Sequence, residues 1–195
     1  MSEQRIPLFP LNTVLFPGGV LPLRIFEPRY LDMISACMRN NTPFGVALIR
    51  DGTETGKAAT TYDLGTLVNI DYFHTFNDGV LGITARGQKR FRIHRRSVQP
   101  DQLVIAEVET IVNEPGAELP AQFRPLAEML EGIMQRLGQP YLKLTPRFDD
   151  ASWVGARLTE LLPIGLDQKQ YFLLLDDPIQ RLERLEEVLK TLESD

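Results

Sequence analysis

The sequence predicts an α+β fold, a bent β-barrel-like N-terminal domain followed by a small helical bundle. Three observations carry that prediction. Through the first half, apolar residues alternate with period two or form runs of strand length. Prolines 10, 17 and 22 punctuate these segments; each removes a ladder donor, which confines it to sheet edges, strand ends or bulges and suits a bent barrel better than a flat central sheet. Beyond Asn113-Glu114-Pro115-Gly116 the apolar spacing changes to three and four, the helical period. That turn cluster sets the expected boundary, with a β-rich domain over 1–114 and a helical one over 115–195.

In order, Ile6–Leu11 reads as a strand, Asn12-Thr13 as a turn, Val14–Phe16 as a strand, Pro17-Gly18-Gly19 as a break and Val20–Leu23 as a strand. Pro28 opens a helix on which Tyr30, Leu31, Ile34, Cys37 and Met38 face a core, ended by Asn40-Asn41. Phe44–Ile49 is an apolar run of strand length, and Asp51–Tyr62, rich in Gly, Thr and Ala, reads as a loop. Thr66–Phe73 and Val80–Ala85 flank Asn77-Asp78-Gly79, a hairpin signal. Gly87 is expected to break the chain again. Arg90–His94 alternates, with Phe91 and Ile93 on one face and Arg90, Arg92 and His94 on the other. Leu103–Val112 is the last strand.

The second half holds four helical patterns. Phe123, Leu126, Leu130, Ile133 and Leu137 form one stripe, stopped by Gly138 and Pro140. Ala151–Leu162 and Asp167–Leu175 follow. The last starts at Asp177 as N-cap with Pro178 in the first turn, and carries Leu182, Leu185, Leu189 and Leu192.

Composition narrows the function classes. Among 195 residues, 43% are hydrophobic and 24% charged, so neither a disordered chain nor a disulfide-stapled miniprotein is expected. The formal net charge of -5 argues against a dedicated nucleic-acid binder, which needs a basic surplus. The single cysteine, Cys37, sits on an apolar helix face and reads as a buried, inert thiol. With one cysteine and no apolar stretch of spanning length, the expectation is a cytoplasmic protein with no membrane contact.

Chemistry-bearing motifs are sparse. Gly52-Thr53-Glu54-Thr55-Gly56-Lys57-Ala58 lacks one residue between its glycines and the Ser or Thr after the lysine that a phosphate loop requires. No nucleophile elbow is present, and His74 and His94 stand in different strands without partners at metal spacing. Asp149-Asp150 and Asp176-Asp177 precede helices, where capping accounts for them. No catalytic residue, cofactor or metal is expected. The cluster Arg86, Lys89, Arg90, Arg92, Arg95 and Arg96 reads either as a nucleic-acid contact or as a strand face whose arginines pair with Glu107 or Glu109 on the next strand.

The opening Ile6-Pro7-Leu8-Phe9-Pro10-Leu11-Asn12-Thr13-Val14-Leu15-Phe16-Pro17-Gly18 resembles that of the N-terminal domain of Lon proteases, with Pro10, Leu11 and Pro17 in its core pattern and Pro22-Leu23 after it. Gly65-Thr66, the strand motif of Gly87, Arg90 and Ile93, the Asp149-Asp150 and Leu162-Pro163-Ile164 segments, and an ending through Gln170, Leu173 and Arg181-Leu182 match in order. The resemblance covers nearly the whole chain. It implies a PUA-like barrel plus helical bundle, and a free-standing substrate-binding domain lacking the ATPase and protease modules of the full enzyme.

The resulting expectation is a non-enzymatic module that binds unfolded or tagged protein segments, an adaptor toward a protease or chaperone. The alternative is a nucleic-acid-binding PUA-like protein using the Arg86–Arg96 strand. An exposed apolar groove is required for peptide binding, and its expected residues are Phe26, Tyr30, Tyr72 and Phe76. Phe26 lies where a strand hands over to a helix. Phe76 adjoins the hairpin turn, where burial is least expected.

Overall fold

The computed structural model describes residues 3–192. The chain divides into two compact units after Val112.

The first unit contains β1 (Glu3–Leu11), β2 (Val20–Ile25), α1 (Pro28–Asn40), β3 (Phe44–Asp51), β4 (Thr60–Thr75), β5 (Leu81–Val98) and β6 (Val104–Thr110). They form one sheet in the order β2-β5-β4-β3-β1-β6, and β5 also pairs with β6. β5 runs beside β2 through Leu81–Arg86 and beside β6 through Phe91–Val98, so the sheet curls back on itself while β2 keeps an open edge. The result is barrel-like without being closed, in a mixed α+β chain, as the sequence predicts.

The prolines sit where ladder donors are dispensable. Pro22 lies on edge strand β2. β1 pairs with β6 through residues 3–8 and with β3 through residues 8–11. Pro7 and Pro10 each therefore occupy a stretch with a neighbour on one side only, which a proline tolerates.

Two apolar layers share the strands. Ile6, Leu8, Ala47, Leu67, Phe91, Ile93, Val104, Ala106 and Val108 fill the barrel interior. Phe9, Phe44, Val46, Val68, Ile83 and Ala85 point the other way, onto α1. Burial on both faces explains why β3 reads as a continuous apolar run rather than an alternation. Helix α1 meets this layer with Tyr30, Met33, Ile34 and Cys37, spaced i, i+3, i+4, i+7. Met38, expected to face the core, is exposed, and Met33 takes the place assigned to it. Asn41 caps the helix in the left-handed conformation at φ 50°.

Several local expectations are overturned. Val14–Phe16 is buried but is not a strand; the Leu15 carbonyl accepts a hydrogen bond from Thr66 Oγ1 at 2.5 Å. Gly87 does not end a strand. β5 runs through it because a glycine lets the Phe16–Gly19 loop approach: Gly18 N–H donates to its carbonyl and its own N–H donates to Gly19 O, both at 2.9 Å. Thr60–Tyr62 belongs to β4 rather than to a loop, with Thr61 buried. Arg90 shares a face with Arg92, as the alternation predicts, but is itself buried.

The second unit holds α2 (Arg124–Leu137), α3 (Ala151–Leu161), α4 (Leu166–Leu174) and α5 (Pro178–Leu192), with short 3₁₀ turns at Ala121–Phe123 and Tyr141–Lys143. α3 packs on both α2 and α5 and is buried over nearly its whole length. In the first stripe Phe123, Leu126 and Leu130 are buried; Met134 replaces Leu137, which turns outward at the helix end. Leu182 and Leu185 are fully buried, while the side chain of Leu192 lies outside the described residues.

Helix starts follow the local chemistry. The Asp177 carboxylate accepts from Ile179 N–H at 2.9 Å and Gln180 N–H at 3.2 Å. Asp150 accepts from Ser152 N–H at 2.9 Å and Trp153 N–H at 3.4 Å, and pairs with Arg147. Because this cap is itself buried, Asp150→Ala is expected to cost about 1–2 kcal/mol of stability, and Asp150→Asn to retain most of it. Urea unfolding of the two variants beside the parent checks this; equal losses would contradict the capping role.

Candidate functional site

The four sequence-predicted site residues separate into two places in the first unit. Phe26 and Tyr30 line one cleft; Tyr72 and Phe76 belong to an aromatic row on the β4–β5 hairpin.

The cleft forms where β2 hands over to α1. Its floor is the Tyr30 ring stacked on Phe9, with ring centroids 4.0 Å apart and planes 8° from parallel. Leu11 and Ile25 complete the apolar lining. Phe26 stands at the rim, 60% exposed, because the chain turns at Glu27-Pro28 and leaves its side chain outside both apolar layers. The polar rim consists of Glu27, Glu54 and Thr55. The cleft is shallow, about 50 Å³, well below the roughly 300–1,000 Å³ of small-ligand sites, so it admits only part of one side chain.

Both carboxylates are held in place. Glu54 Oε1 accepts from Asn12 N–H at 2.7 Å, drawing the 52–58 loop over the cleft. Glu27 Oε2 pairs with Arg29 Nη2 at 3.0 Å and accepts from Gly56 N–H at 3.4 Å. Arg29 is buried, with its guanidinium 4.6 Å from the Tyr30 ring centre and Nη1 donating to Gln102 O at 2.9 Å. Burial pushes the Tyr30 hydroxyl up to about 12; Arg29 opposes the rise, and Glu27 and then Glu54 add to it. Tyr30 therefore stays neutral at physiological pH. It is 5% exposed, so it serves as floor rather than rim.

The hairpin row has a different make-up. Tyr72 stacks on His74 at 5.8 Å, and His74 meets Phe76 edge-on at 4.5 Å. Arg24 lies over Phe76 at 4.3 Å and pairs with Asp78 at 2.5 Å. Gly82 leaves the space that His74 and Phe76 occupy; a Cβ there would come within 2.5–2.7 Å of both. Tyr72 is 58% exposed, but Phe76 is half-buried, contrary to the expectation for a residue beside a turn. The Arg24 cation over its ring and the His74 imidazole at its edge cover part of it. A shift in register between Ile70 and Tyr72 puts Phe73, rather than Tyr72, on the face of Ile70, where it is also exposed.

The Arg86–Arg96 cluster does not form one basic face. Arg86 pairs with Asp71, and Arg96 Nη2 pairs with Asp63 at 2.7 Å while donating to the Thr61 and Tyr62 carbonyls, both at 3.1 Å. Arg92 stands opposite Glu109 and Arg95 opposite Glu107 in the β5–β6 ladder. His94 Nε2 meets Glu109 Oε2 at 3.2 Å. Cys37 is buried, and burial pushes its thiol up. Among the described residues, no group of three or more His, Cys, Asp or Glu side chains is arranged to hold a metal ion, and no helix is long and apolar enough to cross a membrane.

The family model for the ATP-dependent protease La (LON) substrate-binding domain matches residues 5–191. The chain belongs to this family. Among solved structures, the Lon N-terminal domain protein from Xanthomonas campestris is 40% identical, with a TM-score of 0.77, covering 94% of this chain and 98% of that one. The N-terminal domain of the Mycobacterium avium complex Lon protease shares the fold, with 18% identity, a TM-score of 0.64 and coverage of 94% and 97% of the two chains. Lon protease 1 of Hydrogenovibrio crunogenus is 24% identical over 189 residues, or 94% of this chain; the match spans 23% of that protein's length. The Lon resemblance read from the opening motif and the ordered matches after it therefore holds.

Sequence reasoning missed most of what builds the cleft of this Lon domain. Phe9 and Leu11 read as part of the Ile6–Leu11 strand, Ile25 lies beyond the expected end of the next strand at Leu23, and Glu54 reads as part of a loop. Glu54 reaches Asn12 across a separation of 42 residues, and no local pattern announces that contact.

Proposed function

We propose that this chain is a non-enzymatic protein-binding module that takes hold of exposed apolar segments of unfolded or tagged proteins. In this reading it serves protein quality control, presenting such segments to a protease or chaperone. The observation that carries the reading is Phe26, a large ring left in solvent at the rim of a pre-formed apolar cleft, in a chain of a substrate-binding family. Exposed aromatics beside a pocket are what a peptide anchor requires, since they add contact area on binding and little to the folded core. The rows of aromatics on the hairpin, Tyr72 above all, offer a second contact for a longer segment.

Fluorescence anisotropy with a labelled ten-residue peptide carrying a central Phe-Leu pair tests the proposal. Micromolar binding is expected. Phe26→Ser should weaken it about 5–30-fold, corresponding to a loss of about 1–2 kcal/mol, while the melting temperature stays within a degree or two of the parent's. No binding up to high micromolar concentration by folded protein would overturn the reading.

A further inference from the structure

We infer that the cleft selects apolar segments bearing a lysine or arginine next to the apolar anchor. The inference rests on the peptide-binding reading above and adds the charge of the ligand.

Its basis is the one-sided chemistry of the rim. The lining provides Phe26 and the Phe9–Tyr30 floor for an apolar side chain, and the ionisable groups on the rim are Glu27 and Glu54. Among the described residues, no lysine or arginine lines the cleft. Arg29, the nearby cation, lies buried against the Tyr30 ring and pairs with Glu27 at 3.0 Å, which leaves Glu54 as the uncompensated charge of the rim. Glu54 is held by a backbone amide rather than by a cation, so its charge is not neutralised by the contact that positions it. Both carboxylates also act on the Tyr30 hydroxyl, which places their field over the floor where a ligand would lie. Half-buried carboxylates beside an apolar wall are less screened than fully exposed ones. A ligand ammonium or guanidinium resting there gains the charge of Glu54, and its alkyl stem covers Phe26. A carboxylate beside the anchor meets repulsion instead.

Three labelled peptides with the same Phe-Leu core, flanked by Lys, by Ser or by Glu, serve as probes in anisotropy titrations. At 0.05 M salt the Lys-flanked peptide is expected to bind about three-fold tighter than the Ser-flanked one, consistent with one partly exposed charge contact, and the Glu-flanked peptide the weakest. Glu54→Gln preserves an acceptor for the Asn12 amide and leaves the pair between Glu27 and the buried Arg29 intact. It should bring the Lys-to-Ser ratio close to one. Glu128→Gln, an exposed change on α2, should leave the ratio unaltered and so separates the rim from the protein's net charge. A parent ratio near one, with the Ser-flanked peptide still bound, overturns the charge selection and spares the peptide-binding reading. A ratio that survives Glu54→Gln, or falls equally in Glu128→Gln, also overturns it. If none of the three peptides binds, both readings fall.

Discussion

Glu114→Ala is expected to destabilise the helical unit by about 3–5 kcal/mol, the usual loss when one partner of a buried ion pair is removed. Glu114 Oε1 accepts from Arg181 Nη1 at 2.5 Å and Oε2 from Arg181 Nη2 at 2.6 Å, a two-pronged contact. Ser152 Oγ also donates to Oε1 at 2.6 Å. Arg181 is 1% exposed; its remaining donors reach the Phe172 carbonyl at 3.2 Å and that of Leu175 at 2.6 Å. One arginine thus joins the entry segment, α3, the end of α4 and α5. Without Glu114 its charge stays buried without the carboxylate that grips it at two nitrogens. For a domain of 60–100 residues, each kcal/mol lowers the melting temperature by about 4–8 °C, so a drop of at least about 12 °C should appear. Arg181→Met with Glu114→Leu should cost less than Glu114→Ala, because no uncompensated charge remains. A loss below about 1 kcal/mol for Glu114→Ala would show that the pair does not organise the bundle.

Gly65→Ala is expected to cost about 3 kcal/mol, at the upper end of ordinary overpacking, and more than Gly45→Ala at about 1–2 kcal/mol. The two glycines lie on adjacent strands beneath the Phe91 ring in the barrel interior. A Cβ on Gly65 would fall on the Val46 carbonyl oxygen and 2.6 Å from the Phe91 ring. The carbonyl is part of the β3–β4 ladder and cannot withdraw without parting the strands. At Gly45 the obstacles are side-chain atoms of Leu8, Ile6 and Phe91 at 2.7–2.8 Å, which can change rotamer. Chemical denaturation of the two variants gives the order directly; a larger loss at Gly45 would mean that side-chain crowding, not the backbone, sets the limit.

How much of this was legible beforehand differs by feature. Helix starts at Asp150 and Asp177 were readable because a cap is satisfied within three residues of itself. The α5 stripe through Leu182 and Leu185 was readable for the same reason, since helical spacing repeats over one or two turns. Strand segments around Ile6–Leu11, Phe91 and Ile93 followed from alternation, and the ordered motifs carried the Lon resemblance. At Gly87 the local signal misled, because a glycine marks a break and a close backbone approach alike, and only the Phe16–Gly19 loop distinguishes them.

For the site, the exposure of Phe26 and the burial of Tyr30 follow from short-range reasoning about where a strand meets a helix and which face a helix buries. The cleft does not. It needs Phe9 from β1 under Tyr30 from α1, and Glu54 brought from a distant loop to Asn12. Nor does the pairing of Glu114 with Arg181, 67 residues apart. Backbone periodicity, capping and turn chemistry act over a few residues and are written in the chain itself. Ion pairs and clefts are set by which elements the fold brings together, and the energy that selects them is the burial of apolar faces and of charges that only a distant partner can satisfy.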